Sequence, residues 1–450
     1  MKRIGIGGLL AGRNRFVRHT AWNVAAISVP VLAGLLAVPV LTRALGPARF
    51  GILALAWALL EYLTVFDFGL SRATLHHVAR RADTEMQDLS RTVSASLTAQ
   101  TGLGAIAGLL VVLLSGFVVR SVLKVPPELE VEAHRAFLVL GATMPLVLLA
   151  LALRTLLEAA ERFDLSAAVR APSSAATFLV PAVAAAAGAS LPTILALLLL
   201  VRALTCVATL QLVRRALPGF RLSRPRELAT LRRLAGFGGW IAVTNVLTPF
   251  FLYFDRLLLG ALAGVAAVGY YAAPFELGIR LLVLPAAVTG SVFPAASALL
   301  GEHREVEVRR LYAGSSWALL LLLLPVVVLG VVIAPAFLGW WLGPDFAGES
   351  ATVLRFLLPG VLASALAHLP VAFLQAGGRA DVSGRLHVAM AVLHAVACSA
   401  LVLRYGAVGA AAAFTLRATV DAVLAFALAS TALRLPHPFR RVGRSELAVP

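Results

Sequence analysis

Long apolar stretches alternate with short polar connections along almost the whole chain. A helix needs roughly 20 predominantly apolar residues to cross a hydrocarbon core about 30 Å thick. Twelve stretches reach that length, so the pattern predicts an all-α polytopic membrane protein with about 12 transmembrane helices. The predicted spans are 19–42, 50–75, 97–119, 134–157, 167–187, 191–213, 237–260, 267–296, 314–338, 352–375, 384–403 and 407–432.

The composition supports this prediction and excludes several classes of protein. Of the 450 residues, 60% are apolar and 14% are charged, and the mean hydropathy is +0.90. A soluble domain carries about 25% charged residues. The spans leave about 14 residues for each connection or tail, which is too short for a domain outside the membrane. A disordered chain, a disulfide scaffold and an ordinary cytosolic enzyme are therefore excluded.

The basic residues indicate an orientation. The net charge is +17. With the N-terminus placed in the cytoplasm, 28 of the 39 Lys and Arg residues fall in cytoplasmic segments and 8 fall in outer segments. Cytoplasmic loops of membrane proteins carry such an excess of Lys and Arg. We therefore expect both termini to be cytoplasmic, and we attribute the net charge to topology rather than to nucleic acid binding.

The chain also shows two similar halves. Residues 162–166 and 379–383 both read Arg-x-Asp-aliphatic-Ser, 217 positions apart. Gly46 is matched with Gly260 if one extra residue is allowed, and Gly51 then pairs with Gly269, 218 positions apart. Such halves predict two six-helix bundles related by a pseudo-two-fold axis along the membrane normal, with a substrate path between them. The predicted organisation is a basic N-terminal segment (1–18), a six-helix lobe (19–213), a basic cytoplasmic linker (214–235), a second six-helix lobe (236–432) and a basic tail (433–450).

Three short motifs carry a family resemblance. Residues 41–52 read Leu-Thr-Arg-Ala-Leu-Gly-Pro-x-x-Phe-Gly-Ile, residues 67–70 read Asp-Phe-Gly-Leu, and residues 255–260 read Asp-Arg-Leu-Leu-Leu-Gly. They resemble signatures of the polysaccharide (oligosaccharidyl-lipid) flippases in the multidrug/oligosaccharidyl-lipid/polysaccharide exporter superfamily. The resemblance implies a protein of the bacterial cytoplasmic membrane. It also implies movement of undecaprenyl-pyrophosphate-linked oligosaccharide from the inner to the outer leaflet by alternating access.

Ionisable residues within the spans, or close to their ends, single out candidate site residues, because each costs about 2.5–3.5 kcal/mol at the centre of a membrane helix. Arginine presents a planar fork that matches phosphate oxygens, and nearby carboxylates offset its charge or exchange protons. The candidates for binding the pyrophosphate and glycan are Arg43, Arg72, Arg202, Arg256 and Arg280. The candidates for coupling or charge pairing are Glu61, Asp67, Asp255, Glu276, Arg417 and Asp421.

Several of these residues also have a purely structural interpretation. Glu276 and Arg280 are four residues apart, as are Arg417 and Asp421, and residues at that spacing share a helix face and can form ion pairs. Arg202 has no carboxylate within four residues. Its partner is therefore expected on another helix or on a ligand.

Other functions remain as alternatives. A lipid II flippase and a small-molecule exporter belong to the same superfamily, but the first often has fourteen spans and the second needs a compact apolar pocket. A membrane-embedded polysaccharide polymerase or ligase should carry a large outer loop, and a structural scaffold needs no charged residues in its spans. No metal-ligand spacing, phosphate-binding glycine loop or nucleophile elbow occurs, so no enzyme activity, metal or cofactor is expected. The expected partners are a polyprenyl-pyrophosphate-linked oligosaccharide and membrane lipids, with a polysaccharide polymerase as a further candidate.

Overall fold

The computed structural model consists of helices joined by short turns. It describes residues 6–67, 70, 71, 74, 86–217, 239–433, 435, 438 and 439. Every regular element within these residues is helical. The chain divides into two compact units, Met1–Pro249 and Phe250–Pro450.

The helices in the described part of the first unit are α1 (Ile6–Tyr62), α2 (Met86–Phe117), α3 (Glu130–Ala159), α4 (Phe163–Ala186) and α5 (Leu191–Ala216). The turn Leu63–Asp67 follows α1, and the turn Pro127–Leu129 precedes α3. The central helix is α3, which packs against α2 and α5, while α1 packs against α4.

The helices of the second unit are α6 (Gly239–Leu262), α7 (Val265–Ile279), α8 (Val283–Gly301), α9 (Glu305–Leu342), α10 (Glu349–Ala376) and α11 (Ala380–Ala432). The part of α6 from Phe250 onward belongs to this unit. The single helical turn Arg280–Leu282 precedes α8, and the turn Pro344–Ala347 precedes α10. The central helix is α10, which packs against α7, α8, α9 and α11.

Within the described residues, nine helical segments are long and apolar enough to cross a membrane. Two of them, Ser28–Asp67 and Ala380–Ala432, each contain a non-helical glycine between two predicted spans. The predicted span 237–260 coincides with α6. The all-α polytopic fold is thereby confirmed. The count of 12 spans, their orientation and the five-part division of the chain stay predictions.

The two non-helical glycines lie where α1 and α11 bend. Gly46 has φ 68° and ψ 175°, and Gly406 has φ 56° and ψ −130°. A side chain with a Cβ rarely adopts these angles, whereas glycine adopts them with little strain. Each glycine therefore lets one span end and the next begin without an intervening loop.

The internal repeat is visible in the turns. Glu161 and Gly378, 217 positions apart, both have positive φ. The next residue donates the same backbone hydrogen bond in each turn, from Arg162 to the Leu157 carbonyl (2.9 Å) and from Arg379 to the Leu374 carbonyl (2.8 Å). The offset of 218 likewise relates the positive-φ glycines Gly46 and Gly264, and Gly188 and Gly406.

This repeat corrects one register assigned from the sequence. Gly46 corresponds to Gly264 in backbone conformation and not to Gly260, because Gly260 lies inside α6. The helix continues for two residues beyond Gly260, and the positive-φ position follows its end. Matching Gly46 with Gly260 therefore shifted the alignment by four residues.

Candidate functional site

A polar cavity of about 690 Å³ lies within the first unit. The end of α1, the turn after it, and helices α3, α4 and α5 contribute side chains to its walls. Three of the described lining residues are arginines and three are acids, so the formal charges of these six side chains balance. The polar residues that line it are Glu61, Thr64, Asp67, Ser71, Arg154, Thr155, Glu158, Ser166, Arg170, Ser173, Ser174, Arg202, Thr205 and Thr209.

The three arginines come from three consecutive helices. Arg154 lies near the end of α3, Arg170 in the first half of α4 and Arg202 near the middle of α5. Arg154 Nε lies 3.4 Å from Glu158 Oε1, whereas no carboxylate of the described residues lies within 4 Å of Arg170 or Arg202. The Nε atoms of Arg154 and Arg170 are buried without a hydrogen-bond partner. All three arginine side chains line the cavity, and each guanidinium has five N–H donors, so bonding capacity is left for an anion.

Two predicted acids join Arg202 in this cavity. Asp67 is 5% exposed and accepts hydrogen bonds from the backbone N–H of Ser71 (3.2 Å) and from the Ser71 hydroxyl (2.8 Å). The Ser71 hydroxyl also lies 3.2 Å from Gln100 Oε1, which ties the segment to α2. Glu61 is exposed at the end of α1. The structure thus places Glu61 and Asp67, which are close in the sequence, together with Arg202 from a distant part of the chain.

Two other predicted residues do not contribute to the cavity as described. Arg43 is exposed and is not part of its lining. Arg72 lies outside the described residues.

Sequence reasoning missed Arg154 and Arg170, because both were assigned to cytoplasmic ends as topology signals. A usable signal was present on α4. Ser166, Arg170, Ser173 and Ser174 recur at i, i+4, i+7 and i+8, which places them on one helix face. A polar stripe within an apolar helix indicates a face that does not contact lipid.

In the second unit, Glu276 on α7 bridges two arginines. Arg256 Nη2 donates to Glu276 Oε1 at 2.7 Å, and Arg280 Nη2 donates to Oε2 at 3.3 Å. The Arg256 side chain is 2% exposed, and its guanidinium carbon lies 5.0 Å from the ring centroid of Phe275. These contacts account for Arg256 as a buried, paired cation without any ligand. The Arg280 side chain is 19% exposed and is therefore more accessible than that of Arg256.

The spacing of Arg417 and Asp421 allows an ion pair, but their charged groups do not come within 4 Å of each other. Among the described residues, neither side chain has an oppositely charged partner within 4 Å. The Arg417 guanidinium carbon instead lies 4.8 Å from the ring centroid of Phe251 and 5.1 Å from that of Phe414. Asp421 is 6% exposed, and its Oδ1 has no hydrogen-bond partner. Cation–π contacts with two aromatic rings therefore replace the expected pairing.

A third polar group surrounds Asp255, which is fully buried on α6. The Tyr271 hydroxyl donates to Asp255 Oδ2, and His394 Nε2 lies 3.9 Å from Oδ1. His394 is fully buried on α11, and sequence reasoning missed it. The signal was available: a histidine within the apolar stretch 384–403 needs a polar partner or a function.

The chain resembles known families over most of its length. The sequence model described as polysaccharide biosynthesis protein matches residues 16–300. A second model, described as MatE, matches residues 241–399.

Individual relatives agree with this assignment. A protein of Shigella flexneri named "Putative O-antigen transporter" is 28% identical over 409 residues, covering 91% of this chain and 96% of the relative. A Haloferax volcanii protein named "Probable flippase AglR" is 25% identical over 207 residues, which is 46% of this chain and 43% of the relative. These names describe membrane transporters, so the prediction of a non-enzymatic transporter is confirmed.

Two solved structures share the fold. An inward-facing multidrug resistance MATE family transporter of the MOP superfamily has a TM-score of 0.76 at 15% identity, covering 91% of this chain and 98% of that chain. The lipid II flippase MurJ, in an inward closed conformation, has a TM-score of 0.73 at 10% identity, covering 93% and 88%. The chain is a multi-span membrane protein that belongs to the polysaccharide biosynthesis protein family.

Proposed function

We propose that the protein is a flippase that moves undecaprenyl-pyrophosphate-linked oligosaccharide from the inner to the outer leaflet of the bacterial cytoplasmic membrane by alternating access. Both termini are placed in the cytoplasm, following the distribution of basic residues. The observation that carries the proposal is the convergence of Arg154, Arg170 and Arg202 on one cavity. The family assignment and the names of the relatives support it.

The physical argument concerns the pyrophosphate. This group cannot cross about 30 Å of hydrocarbon unaided, since an unpaired charge in an apolar medium is strongly disfavoured. Arginine forks replace its hydration with charge-assisted hydrogen bonds. Glu61, Asp67 and Glu158 keep the empty cavity from being strongly positive.

The volume of the cavity limits what it holds. Ligand pockets in proteins span about 300–1,000 Å³, and this cavity of about 690 Å³ lies in that range. It suits a pyrophosphate with the first sugar rather than a whole oligosaccharide. The polyprenyl tail is then expected to remain in the bilayer.

The small-molecule exporter is the second candidate, because the MatE model matches residues 241–399. Its substrates are expected to be taken up in a mainly apolar pocket. In the cavity of the first unit, Arg170 and Arg202 have no carboxylate within 4 Å among the described residues, and this favours an anionic substrate instead.

The test measures flipping in proteoliposomes that contain the purified full-length protein. Arg170→Ala and Arg202→Ala are expected to slow the flipping of a lipid-linked oligosaccharide about tenfold or more, since one charged hydrogen bond contributes about 1.5–3 kcal/mol. Lys at either position should restore part of the rate, because the charge returns without the fork. Arg135→Ala is the matched control, because Arg135 is exposed on α3 and lies outside the cavity lining.

Two results would contradict the proposal. Unchanged flipping in both Ala variants would remove the cavity from the transport path. Transport of a cationic drug, with no flipping of lipid-linked oligosaccharide by the unmodified protein, would establish the exporter. Flipping of lipid II in preference to other lipid-linked sugars would identify the lipid II branch of the superfamily.

A further inference from the structure

We propose that His394 and Asp255 form a proton-binding site in the second unit that couples proton movement to transport; the coupling rests on the proposed function, whereas the proton binding does not. The proposal rests on buried polar atoms that lack partners. His394 Nδ1 and Nε2 and Asp255 Oδ1 have no hydrogen-bond partner in the described part of the chain. Both side chains are fully buried.

The geometry directs these atoms toward one another. His394 Nε2 lies 3.9 Å from Asp255 Oδ1, slightly beyond hydrogen-bond distance. The other carboxylate oxygen already accepts a hydrogen bond from the Tyr271 hydroxyl. Asp255 Oδ1 and His394 Nε2 are therefore slightly too far apart for a hydrogen bond. A proton on Nε2 would draw the two side chains together.

Protonation changes the charge of His394 and of the pair that it forms with Asp255. A hydronium ion transfers a proton to the lone pair on His394 Nε2, a water molecule is released, and the neutral imidazole becomes an imidazolium. Its new N–H donates to Asp255 Oδ1, and the pair then carries no net charge. Tyr271 keeps its own proton throughout. Imidazole suits this role because it is the side chain that ordinarily changes charge between about pH 5 and 8.

The surroundings favour one proton and exclude other ligands. The rings of Phe250 and Phe254 lie 6.2 Å and 6.1 Å from the imidazole, centroid to centroid, and form apolar walls. Two potential ligands are too few to hold a metal ion, and no group of three exists among the described residues. Among the other titratable or charged side chains on the elements around the site are Tyr253, Arg256, Tyr271, Glu276, His368, His387, Cys398, Arg417 and Asp421.

Several of these neighbours already have partners of their own. Arg256 is bound by Glu276, and His368 Nδ1 contacts the Ser364 carbonyl at 2.7 Å. Arg417 stacks on Phe251, which also contacts His394 (ring centroids 6.4 Å apart).

Burial links this step to conformation. Because His394 and Asp255 are fully enclosed, water reaches them only when the helices around them separate. A site that exchanges its proton in one conformation and closes in another shifts the balance between the two. A proton gradient would in this way bias the transport cycle.

Proton binding is tested directly on the purified full-length protein by nitrogen-15 NMR of labelled histidines between pH 4 and 9. The chain has 9 histidines, and the His394 resonance is the one lost in His394→Gln. We expect this resonance to titrate in the unmodified protein and its midpoint to move by at least one pH unit in Asp255→Asn. His303→Gln is the control, because His303 lies in an exposed turn and its removal should leave the His394 titration unchanged. If His394→Gln does not fold, the shift in Asp255→Asn identifies the resonance instead.

Coupling is tested separately in proteoliposomes with an imposed pH gradient. We expect the gradient to change the flipping rate of the unmodified protein and of His303→Gln, and His394→Gln to lose that response. A His394 resonance that does not titrate from pH 4 to 9 would overturn the proton site. A titrating His394 with an unchanged gradient response in His394→Gln would overturn the coupling. Absence of flipping by the unmodified protein would contradict the proposed function while leaving the proton site established by NMR.

Discussion

Glu276 is the acid on which two arginines depend, but they do not depend on it equally. Arg256 is almost fully buried and has no other acid within 4 Å in the described part of the second unit, whereas the Arg280 side chain is partly exposed. Spacing along the helix suggested Arg280 as the partner, and the structure adds Arg256 from a neighbouring helix. Since removal of one member of a buried ion pair leaves an uncompensated charge, Arg256 should dominate the effect of any change at Glu276.

We therefore expect Glu276→Gln to lower the free energy of unfolding by about 3–5 kcal/mol, measured by thermal denaturation in detergent. Adding Arg256→Met to this variant should recover most of the loss, because the buried cation is removed as well. Adding Arg280→Gln instead should recover little. Equal recovery in the two double variants would show that Arg256 is not the dependent residue.

The charged residues show what could be predicted at this scale. Hydropathy identified Glu61, Asp67 and Arg202 as unusual, and the structure places them together. It did not identify Arg170, because an arginine close to a predicted helix end has the same pattern as a topology signal. Which helix faces meet depends on tertiary packing, which the sequence of a single chain does not reveal.

At the scale of elements, the bends at glycine decide where helices change direction. Gly406 has φ 56° and ψ −130°, whereas Gly384 lies in the regular part of the same helix with open space where a Cβ would be. The spans on either side of Gly406 were predicted from hydropathy. Their direct connection was not, because hydropathy carries no information on backbone angles.

Gly406→Ala is expected to destabilise the protein by roughly 1–3 kcal/mol, since alanine is strained at these angles. Gly384→Ala is the matched control and should be neutral or slightly stabilising, because alanine favours a helix. Thermal denaturation of both variants in detergent measures the difference. A Gly406→Ala protein as stable as Gly384→Ala would show that the bend does not require a positive φ.

For the whole molecule, the distribution of basic residues predicts the orientation. Reporter fusions at Pro225 and Pro450, both outside the described residues, should report a cytoplasmic location, because 28 of 39 basic residues lie on that side of the predicted topology. A phosphatase reporter that is active only in the periplasm should be inactive at both sites. Activity at one site would change the number of spans between them, and activity at both would invert the topology.

The two halves share turns but differ in the arginines that line the cavity, and this difference bears on how substrate preference changes. Counting 217 positions onward from Arg154 and Arg170 leads to Val371 and His387, so the second copy of the backbone does not repeat this arginine pair. A duplicated gene segment commonly allows one copy to specialise while the other preserves the architecture. The two halves of this chain thus share turn geometry and differ in these helix side chains. Under the proposed function, a mutant library restricted to the cavity-lining positions of α3, α4 and α5 is a practical way to select transporters for new lipid-linked anions.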